Sequence, residues 1–304
     1  MNKIVNILKP TGMTSHDVVS CVRRILNMKK VGHTGTLDPD AAGVLPICLG
    51  RATKVSELIL NKDKSYICEL TLGIETDTYD SSGTILYRND DCNIEESKII
   101  QAFKLQKGEI EQLPPVYSAL KVNGKKMCDL ARKGKADTID IKPRKVDIKE
   151  IDILNISRNK ITFYVKCSKG TYVRSICHDI GEYLGCGGCM SFLLRTSSGK
   201  FNLENAITLE ELENLYKNGN LEKHLYDVDY VLDNLLHVDL NPSAKKYYIN
   251  GGVIDSRRFT IKKSQNQDQK NYLVRVYCEN NFIGVGKISK YNNTITLKSD
   301  KLFI

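Results

Sequence analysis

The sequence predicts an α+β protein: a central mixed, largely antiparallel sheet flanked by helices and loops, followed by a small C-terminal β-barrel-like module. Three observations lead there. Strand-like alternation and capped helical periodicity are interleaved along the chain up to about Tyr230. The composition shifts after that point. From Leu236 onward, short alternating segments (Leu273–Tyr277, Phe282–Ile288, Thr294–Leu297) are separated by Gly, Asn and Pro. A boundary near residue 235 therefore divides the chain into 1–235 and 236–304.

The chain opens on a short apolar strand, Ile4 to Leu8, stopped by Lys9-Pro10-Thr11-Gly12. Thr14 and Asp17 form a capping box for the next helix, on which Val18, Val19, Val22, Ile25 and Leu26 share one face. Val31 to Gly43 is a glycine-punctuated loop, too irregular for either regular structure. Tyr66, Cys68, Leu70 and Leu72 alternate onto one face of a strand. Alternation returns over Lys160–Lys166. It runs through Ser168-Lys169-Gly170 into a helix capped near Thr171 that buries Val173, Ile176, Ile180 and Leu184. A third helix starts at Thr208, where Glu211 completes another capping box. The polar stretch Lys262–Asn271 reads as an exposed loop.

A length of 304 residues allows one large core, or a large domain with a small one. The net charge of +9 asks for a polyanionic partner, nucleic acid before an acidic membrane surface. That charge is concentrated: Lys121–Lys149 holds ten Lys or Arg against four Asp. An evenly Lys-rich composition would not do this. Gly124, Gly134 and Pro143 make the run a mobile basic arm, and phosphate contact is the expectation. No basic region followed by a long apolar stretch opens the chain, and no run of about 18 apolar residues occurs, so neither signal peptide nor membrane helix is expected. Ten Cys without a secretory signal read as reduced thiols and place the protein in the cytoplasm.

The loop Val31–Gly43 holds three glycines, one His, two Asp and several hydroxyls, and lacks the GxxxxGK[ST] pattern of a phosphate loop. Pro39 restrains Asp38 to extended geometry, which suits a carboxylate fixed in a cleft. Taken alone, such an Asp is more often a hydrogen-bonding turn residue.

Its company says more. Lys9-Pro10-x-Gly12-x-Thr14-Ser15-x-Asp17, followed by Gly32-His33-x-Gly35-Thr36-Leu37-Asp38-Pro39-x-Ala41-x-Gly43-Val44-Leu45, closely resembles the TruB family, the tRNA pseudouridine 55 synthases. The resemblance continues in Pro114-Pro115-x-Tyr117-Ser118-Ala119-x-Lys121, in Ser168-Lys169-Gly170-Thr171-Tyr172-x-Arg174-x-Ile176, and in Arg195-Thr196-x-Ser198-Gly199. Asn250-Gly251-Gly252 and Phe282-Ile283-Gly284-x-Gly286 are similar, less specifically, to a PUA RNA-binding domain.

The resemblance implies a pseudouridine synthase fold and an isomerase that converts a T-loop uridine of tRNA, position 55, to pseudouridine. It implies Asp38 as nucleophile, and Arg174 as the cation paired with it. Tyr66, Tyr172 and Leu193 match residues of the pocket for a flipped base, and His33 a residue that contacts the RNA. For Tyr66 and Leu193 plain core packing is the competing role, for Arg174 a surface helix position, for His33 a structural hydrogen bond. An Asp nucleophile must be ionised while burial favours its neutral form, so a cation beside it should offset the rise. Extraction of a stacked uridine needs an aromatic or apolar platform. Lys121, Lys125, Lys126 and Arg132 are the expected RNA contacts of the arm, about 115–145. The implied substrate partner is the tRNA T-stem-loop, with no obligatory protein partner, no membrane, and a monomer.

Isomerisation conserves atoms and redox state, so no cofactor is expected. Cys186-Gly187-Gly188-Cys189 with Cys177-His178 has the residue types of a zinc site, but adjacent helical residues diverge by about 100°; no metal is expected. Two positions depart from the family: Cys128 stands where Tyr is usual, and Cys189 where His is common. Three alternatives compete: a non-catalytic RNA-binding or folding protein on the same scaffold, a guide-RNA-dependent relative, and a PUA-containing methyltransferase. Intact Asp38, Tyr66 and Arg174 speak against the first, the long basic arm against the second, and the missing glycine-rich cofactor loop against the third.

Overall fold

The opening strand β1 (Ile4–Lys9) is buried on both faces, Ile4 entering one apolar cluster and Val5 and Ile7 another. The computed structural model describes residues 1–118, 120–122, 124–134, 141–262, 271–291 and 294–304. Helix α1 (Ser15–Ile25) begins at the expected capping box, Thr14 Oγ1 accepting from Asp17 N–H and Asp17 Oδ2 from Thr14 N–H. It buries Val18, Val19 and Val22.

The stretch read as one irregular loop is strand β2 (Val31–His33), a loop of residues 34–41, and the start of β3 (Ala42–Leu49). Gly32 pairs with Cys48 in regular register, and only Gly35 and Gly43 of the three glycines take positive φ, +119° each. Glycine content thus overstated the irregularity.

Next come α2 (Ser56–Leu60), β4 (Lys64–Leu72), the hairpin of β5 (Ile74–Thr76) and β6 (Ile85–Arg88), α3 (Glu96–Leu105) and β7 (Gly108–Gln112). In the arm, β8 (Lys121–Val122) and β9 (Lys125–Lys126) pair before α4 (Met127–Ala131). Then follow β10 (Arg144–Ser157), β11 (Lys160–Cys167), α5 (Val173–Tyr183), β12 (Gly188–Ser198), β13 (Phe201–Asn202), α6 (Leu209–Lys217) and β14 (Leu225–Tyr226).

Apart from the β5–β6 and β8–β9 hairpins, these strands form one sheet in the order β14-β1-β3-β12-β4-β11-β10-β7, with β2 on β3 and β13 on β12. Its pairs are antiparallel except β3 with β12, where Ala42 faces Leu194 and Gly43 faces Arg195 in parallel. The mixed, largely antiparallel sheet is as predicted. Helices α3 and α5 cover Cys68, Leu70, Phe163 and Val165 through Ile99, Phe103, Ile176 and Ile180. Helices α1 and α6 pack on Val5, Ile7, Leu45 and Ile47. The second capping box is present, Thr208 with Glu211.

Helix α5 departs from expectation at its start. Its N-cap is Tyr172, not Thr171, and makes no side-chain cap. Gln112 of β7 substitutes, its Oε1 accepting from Tyr172 N–H and its Nε2 donating to Tyr172 O. Thr171 Oγ1 instead donates to Ser168 O. Leu184 lies just past the helix end, half-buried.

From Leu236 a separate six-stranded sheet begins: β15 (Leu236–Leu240), β16 (Ile254–Asp255), β17 (Phe259–Lys262), β18 (Asn271–Cys278), β19 (Asn281–Tyr291) and β20 (Thr294–Leu302), in the order β16-β20-β19-β18-β15-β17. Helix α7 (Pro242–Ile249) contributes Ala244 and Tyr248 to its core. A third cluster joins the two sheets, bringing Val285 and Phe303 against Ile4, Val44 and Val231. The predicted loop Lys262–Asn271 lies, between its end residues, outside the described residues.

Candidate active site

Asp38 stands on the loop between β2 and β3, and that loop is pinned from two elements. Lys9, at the end of β1, is fully buried and its Nζ donates to Pro10 O (2.8 Å), Met13 O (2.6 Å) and Pro39 O (3.0 Å). Burying an ammonium is tolerable here because all three of its donors find carbonyls. Gly12 N–H donates to Pro39 O as well (2.9 Å). From the first turn of α1, Ser15 Oγ accepts from Leu37 N–H at 2.8 Å. The residues on either side of Asp38 are thus held through their backbone, and its side chain is left to the cavity.

Arg174, in the first turn of α5, meets that side chain. Its Nε lies 3.2 Å from Asp38 Oδ2 and its Nη2 donates to Asp38 Oδ1 at 3.3 Å. Nη1 donates to Asp80 Oδ2 and to Thr78 O, both at 3.2 Å, and Nη2 also to Tyr117 O at 3.1 Å. One planar fork therefore serves two carboxylates and two carbonyls. Asp80 is in turn locked: its Oδ1 accepts from Thr78 Oγ1 (2.8 Å), Ser82 Oγ (2.6 Å) and Ser82 N–H (3.0 Å). Sequence reasoning missed Asp80, which sits in a stretch rich in Asp, Ser and Gly.

Burial pushes the Asp38 carboxyl above the ordinary carboxylate range; Arg174 works against that rise, while Asp80 and Asp40 add to it. The cation offset expected from the sequence is thus partial. The physical reason is sharing: the guanidinium that favours the Asp38 anion also holds a second carboxylate beside it.

A cavity of about 510 Å³ opens in front of Asp38, lined among others by Tyr66, Tyr172, Arg174, Leu193 and Arg195. Tyr66 on β4 and Arg195 on β12 are register partners, as are Cys68 and Leu193. Burial pushes the Tyr66 phenol up to about 12, with the Arg195 guanidinium beside it opposing the shift. Burial raises Tyr172 too, the Ser118 hydroxyl beside it acting the other way. Both rings therefore present neutral phenols near pH 7.

Arg195, a second residue to which the sequence alone assigned no role, is buried and has no carboxylate partner among the described residues. Its Nε donates to Val44 O (2.7 Å) and its Nη2 to Gly35 O (3.3 Å), so it ties β3 and the Asp38 loop to β12. Its presence in a family-like motif was the available signal. Gly43 is required at this crossing, because a Cβ there would run into the Arg195 backbone.

The structure brings Asp38, Tyr66, Tyr172, Arg174 and Leu193 to one cavity. His33 is not among its lining residues; it sits on β2 with Nδ1 buried and unpartnered, and burial lowers its proton affinity. Arg132 and Cys128 of the arm line the cavity, and Lys125 is exposed on β9. Lys121 and Lys126 pair through their backbones, while their side chains lie outside the described residues.

Cys177 Sγ is turned to Cys68 Sγ, 3.6 Å away. Among the described residues, the one convergent group of three or more potential metal ligands is His178, Asp179 and Glu182, which includes neither Cys186 nor Cys189. No helix among those residues is long and apolar enough to cross a membrane.

Comparison with known proteins places these features. Residues 23–173 match the family model of the TruB family pseudouridylate synthase N-terminal domain, and residues 174–236 that of the tRNA pseudouridylate synthase B C-terminal domain. A relative named tRNA pseudouridine synthase B from Clostridioides difficile (strain 630) is 68% identical over 304 residues, covering 100% of both chains. One of the same name from Alkaliphilus oremlandii (strain OhILAs) is 51% identical over 288 residues, 94% of this chain and 93% of that one. Among solved structures, an archaeal box H/ACA sRNP Nop10-Cbf5 complex contains a chain 26% identical with a TM-score of 0.74, covering 100% of this chain and 86% of its own. An H/ACA RNP bound to a substrate RNA containing 2′-deoxyuridine gives 27% identity and a TM-score of 0.74, covering 99% and 85%. By matched residues and full-length identity, the chain belongs to the TruB family of pseudouridylate synthases.

Proposed function

We propose that the chain isomerises the T-loop uridine of tRNA, position 55, to pseudouridine, with Asp38 as nucleophile. The observation that carries this reading is the Asp38 carboxylate gripped by the Arg174 fork at the wall of a cavity that also presents Tyr66, Tyr172 and Leu193. The C1′–N1 bond breaks, the freed uracil turns, and C1′ joins C5. The proton lost from C5 balances the one gained at N1, so no electrons enter or leave. The chemistry is redox-neutral and needs no cofactor.

The cavity receives the flipped base, whose π-face either phenol ring or Leu193 can cover. The arm, about 115–145, contributes phosphate contacts through Lys121, Lys125, Lys126 and Arg132, and His33 touches the RNA outside the base pocket. We take 1–235 as the catalytic domain and 236–304 as a PUA-like module that extends the RNA-binding surface. The enzyme works as a cytoplasmic monomer without a guide RNA. The guide-free part of this reading is supported by the contrast in similarity: full-length identity of 68% to a relative named tRNA pseudouridine synthase B, against 26–27% to chains from two ribonucleoprotein complexes.

The test is Asp38→Asn, assayed by carbodiimide mapping of a T-stem-loop transcript. Pseudouridine formation is abolished while RNA binding survives. Full activity in that variant would overturn the assignment.

A further inference from the structure

One helical turn along α5 from Arg174, His178 makes a second contact with the turn that holds the guanidinium. The two residues are four apart and share a helix face. Thr78 O and Asp80 Oδ2 both bind Arg174 Nη1. Between them in sequence, Tyr79 lays its ring on the His178 imidazole, centroids 3.9 Å apart and planes 7° from parallel. Three consecutive residues of the β5–β6 connection thus engage α5 at two successive turns.

Two details argue that this contact is built rather than incidental. Tyr79 has φ +63°, a left-handed conformation that a bulky aromatic adopts only when its surroundings impose it. The imposing groups are visible: Met190 N–H donates to Tyr79 O (3.0 Å), and Ser81 N–H donates to Met190 O (2.9 Å), so the main chain is strung on β12 while the ring reaches α5. On the helix side, Glu75 Oε1 lies 3.9 Å from His178 Nδ1 and Glu182 Oε2 4.0 Å from Nε2, carboxylates that flank the ring on both edges.

We infer that the Tyr79–His178 stack is a positioning pair, docking the Thr78–Asp80 turn on α5 so that the Arg174 fork stays in the plane that serves Asp38. The guanidinium lies 3.2–3.3 Å from two carboxylates that pull on it together, and Nη1 is bound to the turn itself, so the plane of the fork follows where the turn sits. The stack holds the turn by a contact that carries no part of that tug. It lines a separate cavity, with Glu75, Tyr87 and Glu182, so neither ring belongs to the pocket proposed for the base. The inference rests on the proposed function for its catalytic meaning, though not for its geometry.

The experiment uses four single variants of the full chain and one double variant. Tyr79→Gly removes the ring and relieves the φ strain together; His178→Ala removes the partner. Tyr79→Phe and His178→Phe keep two stacked rings. On a T-stem-loop transcript, Tyr79→Gly and His178→Ala lower kcat about fivefold with KM unchanged, and the double variant is no worse than either. Both Phe variants retain wild-type kcat. In parallel, carbon-13 NMR follows the Asp38 carboxyl, whose titration moves to higher pH in the Gly and Ala variants and stays put in the Phe variants. Wild-type kcat and an unmoved Asp38 titration in Tyr79→Gly overturn the pair, as does equal loss in the Phe variants. A wild-type protein that forms no pseudouridine defeats the functional reading instead, and the Asp38 titration then decides the positioning claim by itself.

Discussion

Arg174 grips Asp38 with two nitrogens, Nε 3.2 Å from Oδ2 and Nη2 3.3 Å from Oδ1, across 136 positions of sequence. Its third nitrogen is committed to Asp80 and Thr78. Such a fork cannot be replaced by a point charge. Arg174→Lys keeps the cation but loses the shared plane, and kcat falls on the order of 100-fold with RNA affinity little changed. Single-turnover pseudouridine formation beside a binding isotherm measures both. A Lys variant as active as the wild type would show that charge alone suffices.

The upward shift of Asp38 has two consequences of opposite sign. With Asp38 as the proposed nucleophile the reaction needs its carboxylate, so the rate falls with decreasing pH through a midpoint above the usual value of about 4. Stability runs the other way. A carboxyl whose folded value is raised favours the folded state fully below its unfolded value, and that contribution is lost as pH rises through the folded value. Asp38→Asn therefore melts higher than the wild type near pH 7, and the gap closes as pH drops through the Asp38 midpoint. Melting curves across pH read this directly; a variant less stable at pH 7 and equal at low pH reverses the sign.

Gly43 and Gly12 separate backbone conformation from crowding. Both have positive φ, +119° and +78°, but a Cβ at Gly12 meets nothing within 4 Å, while one at Gly43 strikes the Arg195 backbone across the parallel β3–β12 pair. Gly12→Ala costs about 1 kcal/mol, the conformational penalty alone. Gly43→Ala costs more than about 3 kcal/mol, because two strands must part. Urea unfolding distinguishes them, and comparable costs would mean the crossing can relax.

The arm proposed to contact phosphates has Arg132 in the cavity wall and Lys125 exposed on β9. Replacing Lys125, Lys126 and Arg132 by Glu weakens binding and reduces the slope of log K against log salt by about 0.7–0.9 for each phosphate that is no longer neutralised. Anisotropy titrations at several salt concentrations test it. An unchanged slope assigns the run to a solvated face.

Much of the site was legible before the fold was known, because family-like residues announce themselves by type and spacing. Tyr66, Tyr172, Arg174 and Leu193 stand with Asp38 around one cavity. His33, on β2, is not among the residues that line it. Asp80 was invisible for a different reason. Asp77-Thr78-Tyr79-Asp80-Ser81-Ser82-Gly83 satisfies its own local hydrogen bonds like any turn, and no local pattern shows that one oxygen is left over for an arginine 94 residues away.

By itself, the sequence determined what is decided within a few residues. The capping boxes at Thr14 and Thr208 and the alternation of β4, β11 and β18 to β20 depend on adjacent backbone groups and a fixed periodicity. Only the tertiary structure decided where α5 begins, since its cap comes from Gln112, 60 residues earlier. It alone decided that β3 and β12 run parallel, and that one guanidinium is divided between Asp38 and Asp80. These are long-range matters, settled by which strands meet and which buried polar groups then find partners. No window of sequence contains both halves of such a contact.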